Sequence, residues 1–211
     1  MLRVLRLGAK VERPPDRVDP LRGLARVAAG GDPQAERTLL IELGPSLLRS
    51  GRAILGATNP EVEDVLQESM AALLAALPSF RGECTVRHFA SRVAIQTALR
   101  ARRRARLRGR YLAVAADDEL NDVASLELSP AEQLEAARRR AALRELLLEL
   151  PEIHSEVLAM HIVLGFTIEE TAAALSVPIN TVRSRLRRAL ASLRDSLQGD
   201  PSAFDVLRAK A

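Results

Sequence analysis

The stretch Thr167–Leu190, TIEETAAALSVPINTVRSRLRRAL, constrains the rest of the chain most. The spacing predicts a short helix from about Ile168 to Leu175, rich in alanine, so that a second helix can cross it closely. Ser176-Val177-Pro178 breaks that helix, because proline lacks a donor N–H and disfavours helix in the residue before it. Asn180 or Thr181 is expected to cap the next helix through its side-chain oxygen. That helix repeats Val182, Leu186, Ala189, Leu190, Leu193 and Leu197 on one face. At about 3.6 residues per turn, Asn180, Thr181, Ser184, Arg187 and Arg188 fall on the opposite face, flanked by Arg183 and Arg185. A basic helix face alone is usually just a solvated surface. Preceded by a crossed-helix turn, it has what reading a DNA major groove requires: a buried stripe to set the angle, and guanidinium and hydroxyl groups for phosphates and base edges.

The remaining sequence is read around that unit. In 211 residues there is no Trp, and the aromatics are Phe80, Phe89, Phe166, Phe204 and Tyr111. Strand-forming residues never alternate for long, so the expected class is all-α. Helix starts repeat one device, a capping residue followed by proline at the first helical position: Asp32-Pro33, Gly44-Pro45, Asn59-Pro60, Ser129-Pro130 and Asp200-Pro201. Leu21–Ala29 reads as a short helix ended by Gly30-Gly31, and Thr85 as the cap of a long helix. The net charge is +4, with a pI near 10.1 that suits an anionic partner. Its distribution divides the chain. Arg100 to Arg110 is a dense basic run, whereas Tyr111 to Glu135 holds acidic residues and no basic one. The expectation is a loose arm over 1–20, a helical domain over 21–110, an acidic linker over 111–129, a helix-turn-helix domain over 130–198 and a tail over 199–211. At ~3.3 Å per residue the linker could extend about 60 Å, letting the domains reach separate points on one large partner.

In the first domain, Pro60–Leu77 places Val62, Val65, Leu66, Met70, Leu73, Leu74 and Leu77 on one face and Glu61, Asp64, Gln67 and Glu68 on the other. On sequence physics alone an acidic face is mostly solvated surface beside a helix N-terminus. The long helix after Thr85 buries Val86, Phe89, Ala90, Val93, Ala94 and Ala98 and leaves Arg87, Arg92, Gln96, Arg100 and Arg103 nearer solvent. With Phe80, Arg81 and His88 close by, that basic face suits splayed single-stranded bases, and a dense arginine block repels itself unless it meets phosphates.

Other chemistry finds little support. His154 and His161 lie about two turns apart without a third ligand, so no metal site is expected. Cys84 is the single cysteine, which rules out an internal disulfide; at a helix start its thiolate could gain stability, but a bystander thiol is the simpler reading. No phosphate loop, dinucleotide fingerprint or nucleophile triad is present, and Glu169-Glu170 suits the first turn of a helix. No enzyme and no cofactor are expected. With an Arg or Lys every few residues the N-terminus lacks the apolar run of a signal peptide, no apolar run is long enough to span a membrane, and the cytoplasm is the expected location.

DVLQES at 64–69, SFRGE at 79–83, LPEIHSEVLAMH at 150–161 and the 167–190 unit together resemble the sigma-70 family of bacterial RNA polymerase sigma factors. The likeness is to the small extracytoplasmic-function (ECF) subgroup, which has only regions 2 and 4. It departs from the family pattern at Phe89, where tryptophan is usual, and at Ile95-Gln96, where Arg-Asn is usual. The resemblance implies a factor that binds core RNA polymerase and directs promoter-specific initiation. It implies docking of Asp64, Gln67 and Glu68 on the β′ coiled coil and contact with the β flap. It implies −10 strand contacts from Phe80, Arg81, Arg92, Gln96, Arg100 and Arg103, and −35 duplex contacts from Asn180, Thr181, Arg183, Ser184, Arg187 and Arg188. An anti-sigma factor and promoter DNA complete the implied partners. The alternative from the residues themselves is a stand-alone helix-turn-helix regulator, which would dimerise on a palindrome without polymerase.

Overall fold

The computed structural model describes residues 19–108 and 130–198, all helices, turns and loops, with no strand among them. The order is α1 (Arg22–Ala29), α2 (Pro33–Leu55), α3 (Val62–Ala76), α4 (Val86–Leu107), α5 (Pro130–Glu149), α6 (Glu152–Leu158), α7 (Ile168–Leu175) and α8 (Ile179–Gln198). The arm before Asp19, the acidic linker, the Asp200-Pro201 helix start and the tail lie outside the described residues.

Local chemistry explains most boundaries. The Asp32 carboxylate accepts from the Ala35 N–H at 2.7 Å, and Pro33 fills the first helical position. Asn59 accepts from the Glu61 N–H at 2.8 Å, so α3 begins at Val62, after the Asn59-Pro60 turn. Thr85 caps α4 by accepting from the His88 N–H at 3.2 Å. Asp19 adds a second tie at that end, accepting from the Leu21 N–H through one oxygen and from the Val86 N–H through the other. A carboxylate at the start of α4 also meets the positive end of its dipole.

Gly44-Pro45 does not start a new helix: α2 runs unbroken through Pro45. Leu39, Leu43 and Leu47 form one buried stripe across the proline, while Pro45 itself is exposed. The carbonyl that loses its donor therefore faces water, and packing holds the helix where its own hydrogen bonding is interrupted. The helix ends at Gly56, whose φ of +102° is accessible to glycine at little cost.

Two apolar clusters form the core. One joins α1, the first half of α2, the end of α3 and the first half of α4 around Leu39, Leu43, Leu73 and Val86. The other joins the end of α2, the start of α3 and the second half of α4 to α5, α6, α7 and α8. Ile95 and Leu99 of α4 share it with Leu147, Leu158, Met160 and Val182. Each such buried side chain stabilises the fold by about 1.5–3 kcal/mol. The two halves of the chain therefore share one apolar cluster, with α4 at its centre. This is why Ile95, Leu99 and Ala101 are buried as well as the face read from the sequence.

Candidate nucleic-acid interface

The helix-turn-helix is built as its residues dictate. Thr167 accepts from the Glu170 N–H at 3.0 Å while the Glu170 carboxylate accepts from the Thr167 N–H at 2.8 Å, a reciprocal cap on α7. Ala172 and Ala174 are buried, so α8 packs close. Ser176 closes α7 in the left-handed region, at φ 53°, and turns the chain toward Pro178. Helix α8 starts at Ile179, so Asn180 and Thr181 lie inside its first turn and do not cap it. Ser176 and Val177 complete the reversal early, which lets the helix begin directly after the proline. Asn180 accepts instead from Arg183 at 3.5 Å, and Ser184 donates to the Thr181 carbonyl at 2.9 Å.

Val182, Leu186, Ala189 and Leu193 of α8 are buried, whereas Leu190, expected in the same stripe, is 48% exposed. Asn180, Arg183, Arg187 and Arg188 are exposed, and Thr181 and Ser184 are half-buried beside them. The side chains expected on one DNA-facing surface thus share it, held at a fixed angle by the stripe beneath.

The α3 face keeps Asp64, Gln67 and Glu68 exposed above buried Val62, Val65, Ser69 and Leu73. Asp64 and Glu68 line an open polar cleft with Glu61, Arg104 and Arg108. Both carboxylate oxygens of Glu68 accept from one terminal nitrogen of Arg104, at 2.9 and 3.1 Å. Both partners are half exposed, so this pair adds little stability and breaks readily.

The third group of residues is divided. Phe80 is half-buried, its ring centroid 4.9 Å from that of Phe89, and Arg81 and Arg100 are exposed. The loop that holds Phe80 and Arg81 is anchored by Arg22, which donates to the Gly82 carbonyl at 2.5 Å. Arg92, Gln96 and Arg103 are not open to solvent as the periodicity of α4 implies. They are half-buried against the second half of the chain. Arg92 donates to the Glu156 carboxylate at 3.1 Å and to the Ala174 carbonyl at 3.2 Å; Gln96 donates to the same Glu156 oxygen at 2.7 Å. Arg103 donates to the Leu150 carbonyl and to the Ser155 hydroxyl, both at 3.1 Å. Leu150 and Ala174 lie at the C-terminal ends of α5 and α7, where free carbonyls and the helix dipole favour a cation. The rings of His88 and Phe166 meet at a tilt of 43° beside them, with centroids 4.4 Å apart.

Glu156, Ser155 and Phe166 are the residues the sequence reading missed. The one local sign was a Ser-Glu pair set directly before the apolar run Val157-Leu158-Ala159-Met160. Among the described residues no group of three or more His, Cys, Asp or Glu is placed to hold a metal. His161 Nδ1 donates to the Phe166 carbonyl at 2.6 Å. No helix is long and apolar enough to cross a membrane among the described residues.

Residues 40–108 match the profile described as Sigma-70 region 2, and residues 140–193 that described as Sigma-70, region 4. The ECF RNA polymerase sigma factor ShbA of Streptomyces griseus subsp. griseus is 31% identical over 185 residues, 85% of this chain and 96% of that protein. The chain belongs to the sigma-70 family. It is a sigma factor of the ECF type, which directs transcription initiation. The ECF sigma factor SigD of Mycobacterium tuberculosis is 32% identical over 174 residues, 81% of this chain and 80% of its own. Among solved structures, that of CnrH in complex with the cytosolic domain of CnrY is 26% identical over 85% of this sigma factor and 97% of CnrH, with a TM-score of 0.48.

Proposed function

We propose that this sigma factor divides promoter recognition between its two halves, residues 21–110 and 130–198. Asn180, Thr181, Arg183, Ser184, Arg187 and Arg188 of α8 read the −35 duplex in the major groove. Phe80, Arg81, Arg92, Gln96, Arg100 and Arg103 engage the −10 strand. Asp64, Gln67 and Glu68 dock on the β′ coiled coil of core polymerase, and the C-terminal half meets the β flap. An anti-sigma factor regulates the protein, and its place of work is the cytoplasm, with polymerase and chromosome. It performs no bond chemistry itself; the polymerase does. The observation that carries the reading is the surface of α8, where amide, hydroxyl and guanidinium groups stand together over a buried stripe.

Co-elution with bacterial core polymerase followed by run-off transcription on a promoter library tests it. The wild type should co-elute and yield new specific transcripts. Asp64→Lys should lose co-elution while keeping duplex binding. Arg188→Ala should keep co-elution and lose ~1–3 kcal/mol of −35 affinity, the cost of one base contact. Duplex binding without polymerase association would overturn this assignment in favour of a stand-alone regulator.

A further inference from the structure

Phe80 and Arg81 sit on the loop between α3 and α4, and that loop has little hydrogen bonding of its own. At its start, Ser79 donates to the Ala76 carbonyl at 2.7 Å and the Phe80 N–H donates to the Leu77 carbonyl at 3.0 Å. Beyond them, among the described residues, no backbone group of Arg81, Gly82, Glu83 or Cys84 bonds to another backbone group. A loop without such bonds has many conformations open to it, and ordering it only when DNA arrives would weaken binding. Two side chains at the start of α1 hold it instead. Arg22 donates to the Gly82 carbonyl, across 60 residues of sequence. Asp19 accepts from the Val86 N–H at 2.6 Å, where the loop enters α4. We propose that Arg22 is a positioning residue for promoter recognition: fixed by Asp19, it clamps the loop in the shape in which Phe80 and Arg81 meet the −10 strand. This rests on the −10 assignment above and adds to it a helix, α1, that the assignment does not otherwise use.

The clamp is built on a fixed base. The Arg22 N–H donates to the Asp19 carbonyl and the Leu21 N–H to the Asp19 carboxylate, both at 3.1 Å, so the two residues belong to one turn. Leu21, Ala25 and Ala28 then anchor α1 in the first apolar cluster. The receiving residue suits the contact. Gly82 has a φ of +74°, which glycine adopts at little cost. Its missing side chain also makes room, because a Cβ there would stand 3.1 Å from the guanidinium carbon of Arg22. On the other side the Phe80 ring rests on Phe89 of α4, so the loop is held from both α1 and α4. Arg22 is exposed, and an exposed hydrogen bond adds little to the stability of a fold. What it fixes is the loop, and its effect therefore falls on what the loop touches.

The test uses the full chain assembled with core polymerase, as wild type, as Arg22→Met and as Arg22→Lys. Arg22→Met keeps an unbranched stem and removes the donors; Arg22→Lys keeps the charge and a donor. Transcription from a promoter library randomised over the −10 and −35 elements reads the base preference at each. Co-elution reads polymerase association, and thermal unfolding reads the fold. Arg22→Met should flatten the −10 preference by about three- to tenfold, the weight of one hydrogen bond. Its −35 preference, co-elution and thermal midpoint should match the wild type, and Arg22→Lys should restore most of the −10 preference. An unchanged −10 preference in Arg22→Met overturns the clamp and leaves the −10 assignment standing. A loss of transcription that is uniform over all −10 sequences also overturns it, since Arg22 would then supply a phosphate contact and not the shape of the loop. So does an Arg22→Met chain that fails to fold, because the bond would then belong to the fold. A wild type with no −10 preference removes the −10 assignment itself, and the clamp with it.

Discussion

Neither ring nitrogen of His154 has a hydrogen-bond partner, and the ring lies near Arg188 and Arg185 of α8. Burial, then the Arg188 and Arg185 charges, push its pKa below the ordinary 6.5. The sign follows from proton counting. Near neutral pH both native and unfolded chains carry a neutral imidazole. As pH falls through about 6.5 the unfolded chain takes up a proton that the native one refuses, so native stability declines with acidity. Urea unfolding of the wild type should show this decline between about pH 7 and pH 5.5, and His154→Gln should lessen it. Equal declines in both proteins would clear His154 of the effect. Cys84 illustrates the opposite shift. Burial first, and the Asp19 and Glu83 charges after it, raise its pKa to about 11 against the lowering effect of Arg92, so at neutral pH it is a thiol and no nucleophile. Its position before α4 is visible in the sequence and leaves a stabilised thiolate open beside the simpler reading, a bystander thiol. Its burial comes from packing that no local pattern reveals.

At the scale of elements, what local spacing encodes was legible. The bounds of α7, the Thr85 cap, the Asp32-Pro33 start and the exposed face of α8 all follow from residues within two turns of one another. Pro45 shows the limit. Read locally, Gly44-Pro45 is a helix start, but the Leu39, Leu43 and Leu47 stripe packs on α3 and α4 and holds the helix continuous. An interior proline costs about 3 kcal/mol relative to alanine, and its rigidity in the unfolded chain returns up to about 1. Pro45→Ala should therefore raise stability by about 1–2 kcal/mol, read as a higher thermal midpoint. An unchanged midpoint would mean that the helix accommodates Pro45 without strain.

At the scale of the whole molecule, the charge blocks suggest two independent units, and they say nothing of the apolar cluster the halves share. The pairs that join them are far apart in sequence: Gln96 with Glu156, Arg103 with Leu150, Arg102 with Glu145. Arg102 is 4% exposed and binds the Ile54 carbonyl at 2.6 Å as well as Glu145 at 2.7 Å, so it ties α4 to both α2 and α5. A shared cluster predicts one cooperative calorimetric transition for the wild type. Arg102→Ala strands a buried carbonyl and should cost about 1–3 kcal/mol while resolving that transition into two. Two transitions already present in the wild type would show that the halves unfold separately.

The exposed surface of α8 beside a covered α4 bears on how such a protein searches a genome. Non-specific sites outnumber promoters by roughly a millionfold or more, and every one of them offers phosphates. A chain with both basic faces open would be spread along that excess. With Arg92 and Arg103 engaged inside the chain and Arg183, Arg187 and Arg188 exposed, fewer cations are left for phosphates, and the counterion-release term stays at the moderate affinity that permits sliding. The arginines of α4 that the second half holds, Arg92 and Arg103, take no part in that search while they stay so engaged.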